Sequence, residues 1–279
     1  MLVDAHQHYW SLARGDYGWL TPALGPIHRD FGPHDLAPIV DRHGITHTVL
    51  VQAAPTVAET EYLLAIADCT ASVAAVTGWI DMRGDPATLA RLARHPKMRA
   101  IRPMLQDVPD ANWILDPACR PMLTAIAQHG LLFEFLGKPG HLDAARRLLD
   151  EHPALTVVID HGMKPDIASG AFDDWATRIA EIAARPNALC KLSGLITEAG
   201  PGWSISRVER YVRHVVDTFG PDRVMWGSDW PVVDLAGGYD AWRAATLALL
   251  DSRSEAPAIL GATAARVYRI GAVRHASAP

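Results

Sequence analysis

The chain has 279 residues, 49% of them hydrophobic, which suits one large domain with a sizeable core and matches the usual length of an eightfold β/α barrel. With 31 acidic against 26 basic residues the net charge is −5, and there is no Lys/Arg run to follow a phosphate backbone, no stretch of 18 apolar residues and no export-signal start, so neither nucleic acid nor a membrane is expected as a partner and a cytoplasmic location is. The three cysteines, Cys69, Cys119 and Cys190, stand far apart and read as reduced, small buried residues.

Short apolar, β-branched runs alternate with longer segments of helical period, the pattern of repeated βα units on a parallel sheet. The first run, 2–8, ends Asp4-Ala5-His6-Gln7-His8. Because side chains alternate along a strand, His6 and His8 share a face, and two imidazoles converge there on a metal or a substrate. Residues 10–38 are rich in Gly, Pro and aromatics without a period, and read as a functional loop. The second and third runs, 46–52 and 73–82, flank a helical segment at 59–71, and Gln52 closes the second.

The fourth run, 98–105, carries Arg102 and is followed by Gln106 and a helix at 117–128. The fifth, 130–137, carries Glu134 and leads to Lys138 and a helix over Leu142–Glu151. The sixth, 155–162, ends Val-Val-Ile-Asp160-His161-Gly, with Lys164 just beyond. Alternation lets only one of Asp160 and His161 face inward; His161 is favoured, with Asp160 as its orienter or as a satisfied polar strand end. A helix at 172–184 precedes the seventh run, 188–195, which contains Lys191, and a helix at 206–219 follows it. The eighth run, 223–230, ends Gly227-Ser228-Asp229-Trp230 before a helix at 239–250. Asp229 is the expected general base for water, and an Asp that merely caps the next helix is the competing reading.

Eight runs with helices between them predict an α/β fold, a single-domain (β/α)8 TIM barrel over residues 1–279. A doubly wound sheet would carry a Gly-rich phosphate turn after its first strand, where this chain has His-Gln-His. Arg102, Glu134 and Lys191 each interrupt an apolar run; buried charge is costly unless paired or functional, so they either touch substrate or metal or form a mutual ion pair inside the barrel. Gln52, Gln106, Lys138, Lys164 and Trp230 are candidates for substrate contact.

His6-Gln7-His8, Asp160-His161 and Gly227-Ser228-Asp229-Trp230-Pro231 together resemble the amidohydrolase superfamily, most closely the amidohydrolase-related branch that contains the fuconolactonases and rhamnonolactonases. Asp4-Ala5-His6-Gln7-His8-Tyr9-Trp10, Tyr17-Gly18-Trp19-Leu20 and Lys191-Leu192-Ser193-Gly194 are similar to that branch as well. HxH alone is a weak signal, whereas HxH, a late His and a late Asp in this order on separate strands is a strong one. The resemblance implies a hydrolase of carboxylic esters that opens a small sugar (aldono-) lactone, with Asp229 and His161 catalytic and His6, His8, Glu134 and Asp229 as metal-ligand candidates. Binuclear members use a Lys or Glu on the fourth strand and a His on the fifth; Arg102 and Glu134 stand in those strands here, which argues against two metals. One divalent ion, zinc, and catalysis without metal both stay open. A zinc-dependent decarboxylase of the same superfamily and a non-catalytic sugar-binding relative are the alternatives; a histidinol-phosphatase type phosphoesterase would need more ligands than this chain offers.

Overall fold

The computed structural model describes residues 1–251 and 253–271. Among them eight strands form one parallel sheet in sequence order: β1 (Val3–Gln7), β2 (His47–Val51), β3 (Val73–Gly78), β4 (Met98–Ile101), β5 (Leu132–Phe135), β6 (Val157–Ile159), β7 (Ala188–Leu192) and β8 (Val224–Trp226). The seam between β1 and β8 is closed by the parallel bridge Gln7–Trp230 and by hydrogen bonds from His8 N to Trp230 O and Asp229 N to His6 O, each 2.8 Å. The sheet is therefore a (β/α)8 barrel, as the alternating pattern predicted. Every expected run contains its strand, but several strands stop short of the run's end, β4 at Ile101 and β6 at Ile159, because the chain there leaves the sheet to build the loops of the upper face.

The outer helices are α1 (Pro33–Arg42), α2 (Val57–Cys69), α3 (Pro86–Leu92), α4 (Arg120–Gln128), α5 (Leu142–Glu151), α6 (Asp173–Ala183), α7 (Leu195–Glu198), α8 (Ile205–Phe219), α9 (Gly238–Leu250) and α10 (Thr263–Val267). Four of them, α1, α3, α7 and α10, lie where the sequence showed no helix. Helix α1 begins inside the segment read as a loop, since Pro33 takes its first turn and Pro38 interrupts its pattern, while α3 is only seven residues long and starts behind an Asp85 cap. Cys119 and Cys190 are buried as expected, but Cys69 is exposed at the end of α2, whose outer face it shares with polar residues.

The barrel interior is built in layers. Val3, Ala5, Val49, Val51, Ala75, Ala100, Leu132, Val158, Leu189 and Met225 form one buried apolar cluster, closed by Ala264 and Tyr268 from α10 and the residue after it. Two residues further along the strands, alternation brings Thr77, Arg102, Glu134, Asp160 and Lys191 into the interior, all buried. A polar layer thus lies directly above an apolar floor and below the mouth of the barrel. On β1 the register slips between Asp4 and Gln7, a bulge that lets His6 and His8 turn inward although Ala5 already does.

Candidate active site

The C-terminal ends of the strands converge on a cavity of about 330 Å³ lined by His8, Trp19, Leu24, Ala53, Arg102, Met104, Gln106, Asp107, Leu136, His161, Lys164, Asp229, Val232 and Leu235. Its volume is that of a small-ligand site. Apolar side chains make one wall, and the titratable groups gather on the floor.

Asp229 follows β8 with φ +62, a left-handed conformation that is strained for a residue with a Cβ. The turn is held from β1: Asp4 Oδ1 accepts from Ser228 N at 2.8 Å and from His6 N at 3.2 Å, and Asp229 N donates to His6 O. Gly227 is required for this close approach, since a Cβ there would stand 2.6 Å from the Cβ of His6. His161 likewise sits at φ +53, followed by Met163 at +64 and Lys164 at +48. That reversal breaks strand alternation, so Asp160 and His161 both face the interior, correcting the expectation that only one could. Gly194 leaves room for the His161 ring, because a Cβ would lie 2.7 Å from its Nδ1.

His6 Nε2, His8 Nε2 and Asp229 Oδ1 form a triangle with sides of 3.2, 3.4 and 3.5 Å. His8 Nδ1 lies 2.8 Å from the carbonyl oxygen of Val51 and must donate to it, which leaves the Nε2 lone pair facing the triangle. Donors about 2.05 Å from a tetrahedral ion stand about 3.3 Å apart, so the three positions fit one divalent metal. His6, His161 and Asp229 also bring ligand atoms within 4.8 Å of one another. Burial holds His6 well below the ordinary imidazole range, with the charge of Lys191 adding to it, and burial brings His161 to about 4. Both rings are neutral at physiological pH. Burial works to raise the Asp229 carboxyl, but the surrounding imidazoles of His161 and His8 outweigh it, and the group stays ionised below the usual carboxylate range.

Beneath this level the polar layer is tied together. Lys191 Nζ reaches Glu134 Oε2 at 2.6 Å, Asp160 Oδ1 at 3.3 Å and His6 Nδ1 at 3.3 Å. Glu134 Oε1 accepts from Thr77 Oγ1 at 2.7 Å and from the Tyr268 hydroxyl at 2.6 Å. Arg102 pairs with Asp160 Oδ2 at 3.3 Å and donates to Gln52 O. The mutual ion pair weighed for Glu134 and Lys191 is present, although His6, Glu134 and Asp160 also offer ligand atoms within 4.8 Å of each other. Burial works to raise Asp160, but the charges of Lys191 and Arg102 outweigh it and hold the carboxyl below its usual range.

Of the expected contact residues, Arg102, Gln106 and Lys164 line the cavity with His8, His161 and Asp229. The structure does not bring Gln52, Lys138 or Trp230 into that lining: Gln52 is buried with Nε2 donating to Arg102 O at 2.7 Å, Trp230 packs edge-on against Tyr9 and Phe31, and Lys138 stands on the neighbouring loop. Ser193, whose Oγ lies 2.8 Å from His161 Nδ1, was missed, though continuing the inward alternation from Leu189 and Lys191 reaches it. Tyr268 was missed too; no local signal marks a tyrosine beyond the last helix as the plug of a barrel.

Two inward histidines on the first strand, a histidine after the sixth and an ionised aspartate after the eighth, all at the C-terminal mouth, define a barrel hydrolase of the kind that activates water beside a carbonyl. The chain belongs to the amidohydrolase family, whose model matches residues 3–270. It is similar to an L-fucono-1,5-lactonase of Burkholderia ambifaria, 51% identical over 247 residues that cover 87% of this chain and 85% of that protein. A second L-fucono-1,5-lactonase, from Burkholderia multivorans, is 35% identical over 96% of each chain. Among solved structures, an amidohydrolase from Burkholderia multivorans with bound zinc superposes with a TM-score of 0.91 at 33% identity, covering 97% of this chain and 99% of that one. No helix among the described residues is long and apolar enough to cross a membrane.

Proposed function

We propose that this protein hydrolyses the ester bond of a sugar lactone of the L-fucono-1,5-lactone class. The observation that carries the reading is the ionised Asp229 on the floor of a sugar-sized cavity, in a chain 51% identical to a lactonase. Asp229 takes a proton from a water as that water attacks the lactone carbonyl. The resulting oxyanion is met by His161 Nε2–H, in the tautomer in which the Ser193 hydroxyl donates to Nδ1, and by the positive field of Arg102. Collapse breaks the ring C–O bond, and the proton held on Asp229 passes to the departing ring oxygen, giving the open aldonic acid. Gln106 and Lys164, which line the cavity, hold the sugar hydroxyls in this reading, and the wall of Trp19, Leu24 and Leu235 takes the apolar face of the ring.

The solved relative from Burkholderia multivorans contains zinc. In this chain His6, His8 and Asp229 would hold such an ion, which supplies Lewis-acid polarisation when bound. The decarboxylase alternative is less supported, since two decarboxylase structures that share the fold are only 17% and 14% identical.

The test is a pH-indicator assay of the purified protein on a panel of 1,4- and 1,5-aldonolactones, as isolated, after chelation and with added zinc. Acid release on the 6-deoxy lactones supports the reading; absence of release under every condition overturns it.

A further inference from the structure

The proton positions around His6 can be followed one bond at a time. His8 donates through Nδ1 to the Val51 carbonyl, so its Nε2 accepts. Two acceptors face His6 Nε2, the His8 Nε2 lone pair at 3.2 Å and the ionised Asp229 Oδ1 at 3.5 Å, and His6 Nε2 meets them only if it carries the proton. On its other side His6 Nδ1 faces Lys191 Nζ at 3.3 Å, and an ammonium has donors and no acceptor, so Nδ1 must be the bare nitrogen. The chain Lys191 to His6 to His8 to Val51 is therefore consistent in a single direction, and it places a hydrogen on the nitrogen that a metal would need. The opposite tautomer has an acceptor in waiting: Asp160 Oδ1 is 3.8 Å from His6 Nδ1 and has no hydrogen-bond partner, because Lys191 Nζ lies near enough for an ion pair but out of line for a bond. A metal-binding histidine characteristically donates its second N–H to such a carboxylate.

We propose that Lys191 is a positioning residue that competes with Asp160 for the Nδ1 edge of His6, holds His6 in its Nε2–H tautomer, and thereby keeps the affinity of the His6–His8–Asp229 triangle for divalent metal low. Its charge, 3.3 Å from the imidazole, acts in the same direction. The inference rests on the triangle being the place a metal would occupy, and not on the identity of the substrate.

Two measurements test it, neither of which reads turnover. Zinc affinity is determined by competition with a chromogenic chelator at fixed pH for the wild type, for Lys191→Met, and for Lys191→Met/Glu134→Gln, which removes the buried pair together and keeps the interior charge balanced. At least tenfold tighter binding in the double variant, lost again when His8→Ala is added, is the expected result; equal or weaker binding, or tightening that survives His8→Ala, overturns the proposal. Lys191→Arg, which keeps the cation, is expected to stay within a fewfold of wild type. For the metal-free wild type, long-range proton–nitrogen spectra of histidine-labelled protein, assigned with His6→Gln, report the tautomer directly. A protonated Nε2 and bare Nδ1 on His6 are expected, and the reverse pattern overturns the proposal whether or not any variant folds.

Discussion

The backbone amide of Asp229 donates to the carbonyl oxygen of His6 at 2.8 Å, so the carboxylate after the last strand is hung directly on the first strand's histidine. The barrel's closing seam and the floor of the candidate site thus share His6, His8 and Asp229. Hydrogen bonds from Ser228 N to Asp4 Oδ1 and from His8 N to Trp230 O complete the attachment. The geometry of the candidate site and closure of the fold are coupled here, and the expected effects of substitutions divide according to which of the two they touch.

Asp229→Asn keeps the side-chain size and the backbone bond to His6 while removing the proton acceptor. Turnover on the preferred lactone is expected to drop by about 10²- to 10⁴-fold, with the thermal midpoint within a few degrees of wild type. Near-normal turnover in a folded variant would remove Asp229 as the base.

The pH profile of kcat/KM should be set by neutral His161 and ionised Asp229. Burial lowers His161 to about 4, so the neutral ring is present above that value and lost as pH falls through it, and Asp229, also lowered, stays ionised through neutrality. Activity is expected to hold steady down through pH 6.5, where an ordinary histidine titrates, and to fall only toward pH 4. An acid limb centred near 6.5 in stopped-time assays would contradict this assignment.

Asp4 presents the reverse linkage. Burial raises its carboxyl to about 6 in the folded state against 3.8 for an ordinary aspartate, opposed by the hydrogen bonds from Ser228 and His6. A raised pKa means that the folded form holds the proton more tightly, so this contribution to stability is complete below about pH 3.8 and is lost as pH rises through about 6. Asp4→Asn cannot ionise; its melting temperature relative to wild type should therefore climb between pH 4 and pH 7. A difference that stays constant across that range in thermal melts sinks the assignment.

Glu59 reaches from α2 to accept from Ala53 N at 2.9 and 3.1 Å and from Ala54 N at 2.8 Å, while Trp19 Nε1 donates to Ala53 O at 2.7 Å. A fully buried carboxylate thus fixes the backbone on which one cavity wall rests. Glu59→Ala leaves two amide donors without partners and should cost at least about 2 kcal/mol in denaturant unfolding, with KM raised more than kcat is lowered. Loss of kcat alone, at unchanged stability, would mean that Glu59 serves the chemistry directly.

The sequence by itself determined the barrel and much of its mouth. Strands buried on both faces need long apolar runs, and a charge inside such a run has to be paired or functional, so the eight runs and Arg102, Glu134, Asp160, Lys191 and Asp229 could be picked out from neighbours along the chain alone. The tertiary structure decided what depends on contacts between distant residues or on backbone reversals. The bulge on β1 and the left-handed turns at His161 and Asp229 override simple alternation, and α10 brings Tyr268 to Glu134 from 134 positions away. Whether Lys191 faces a substrate, a carboxylate or a histidine is set by where β1, β5 and β6 place His6, Glu134 and Asp160 around its ammonium, and no local pattern of residues encodes distances across a barrel.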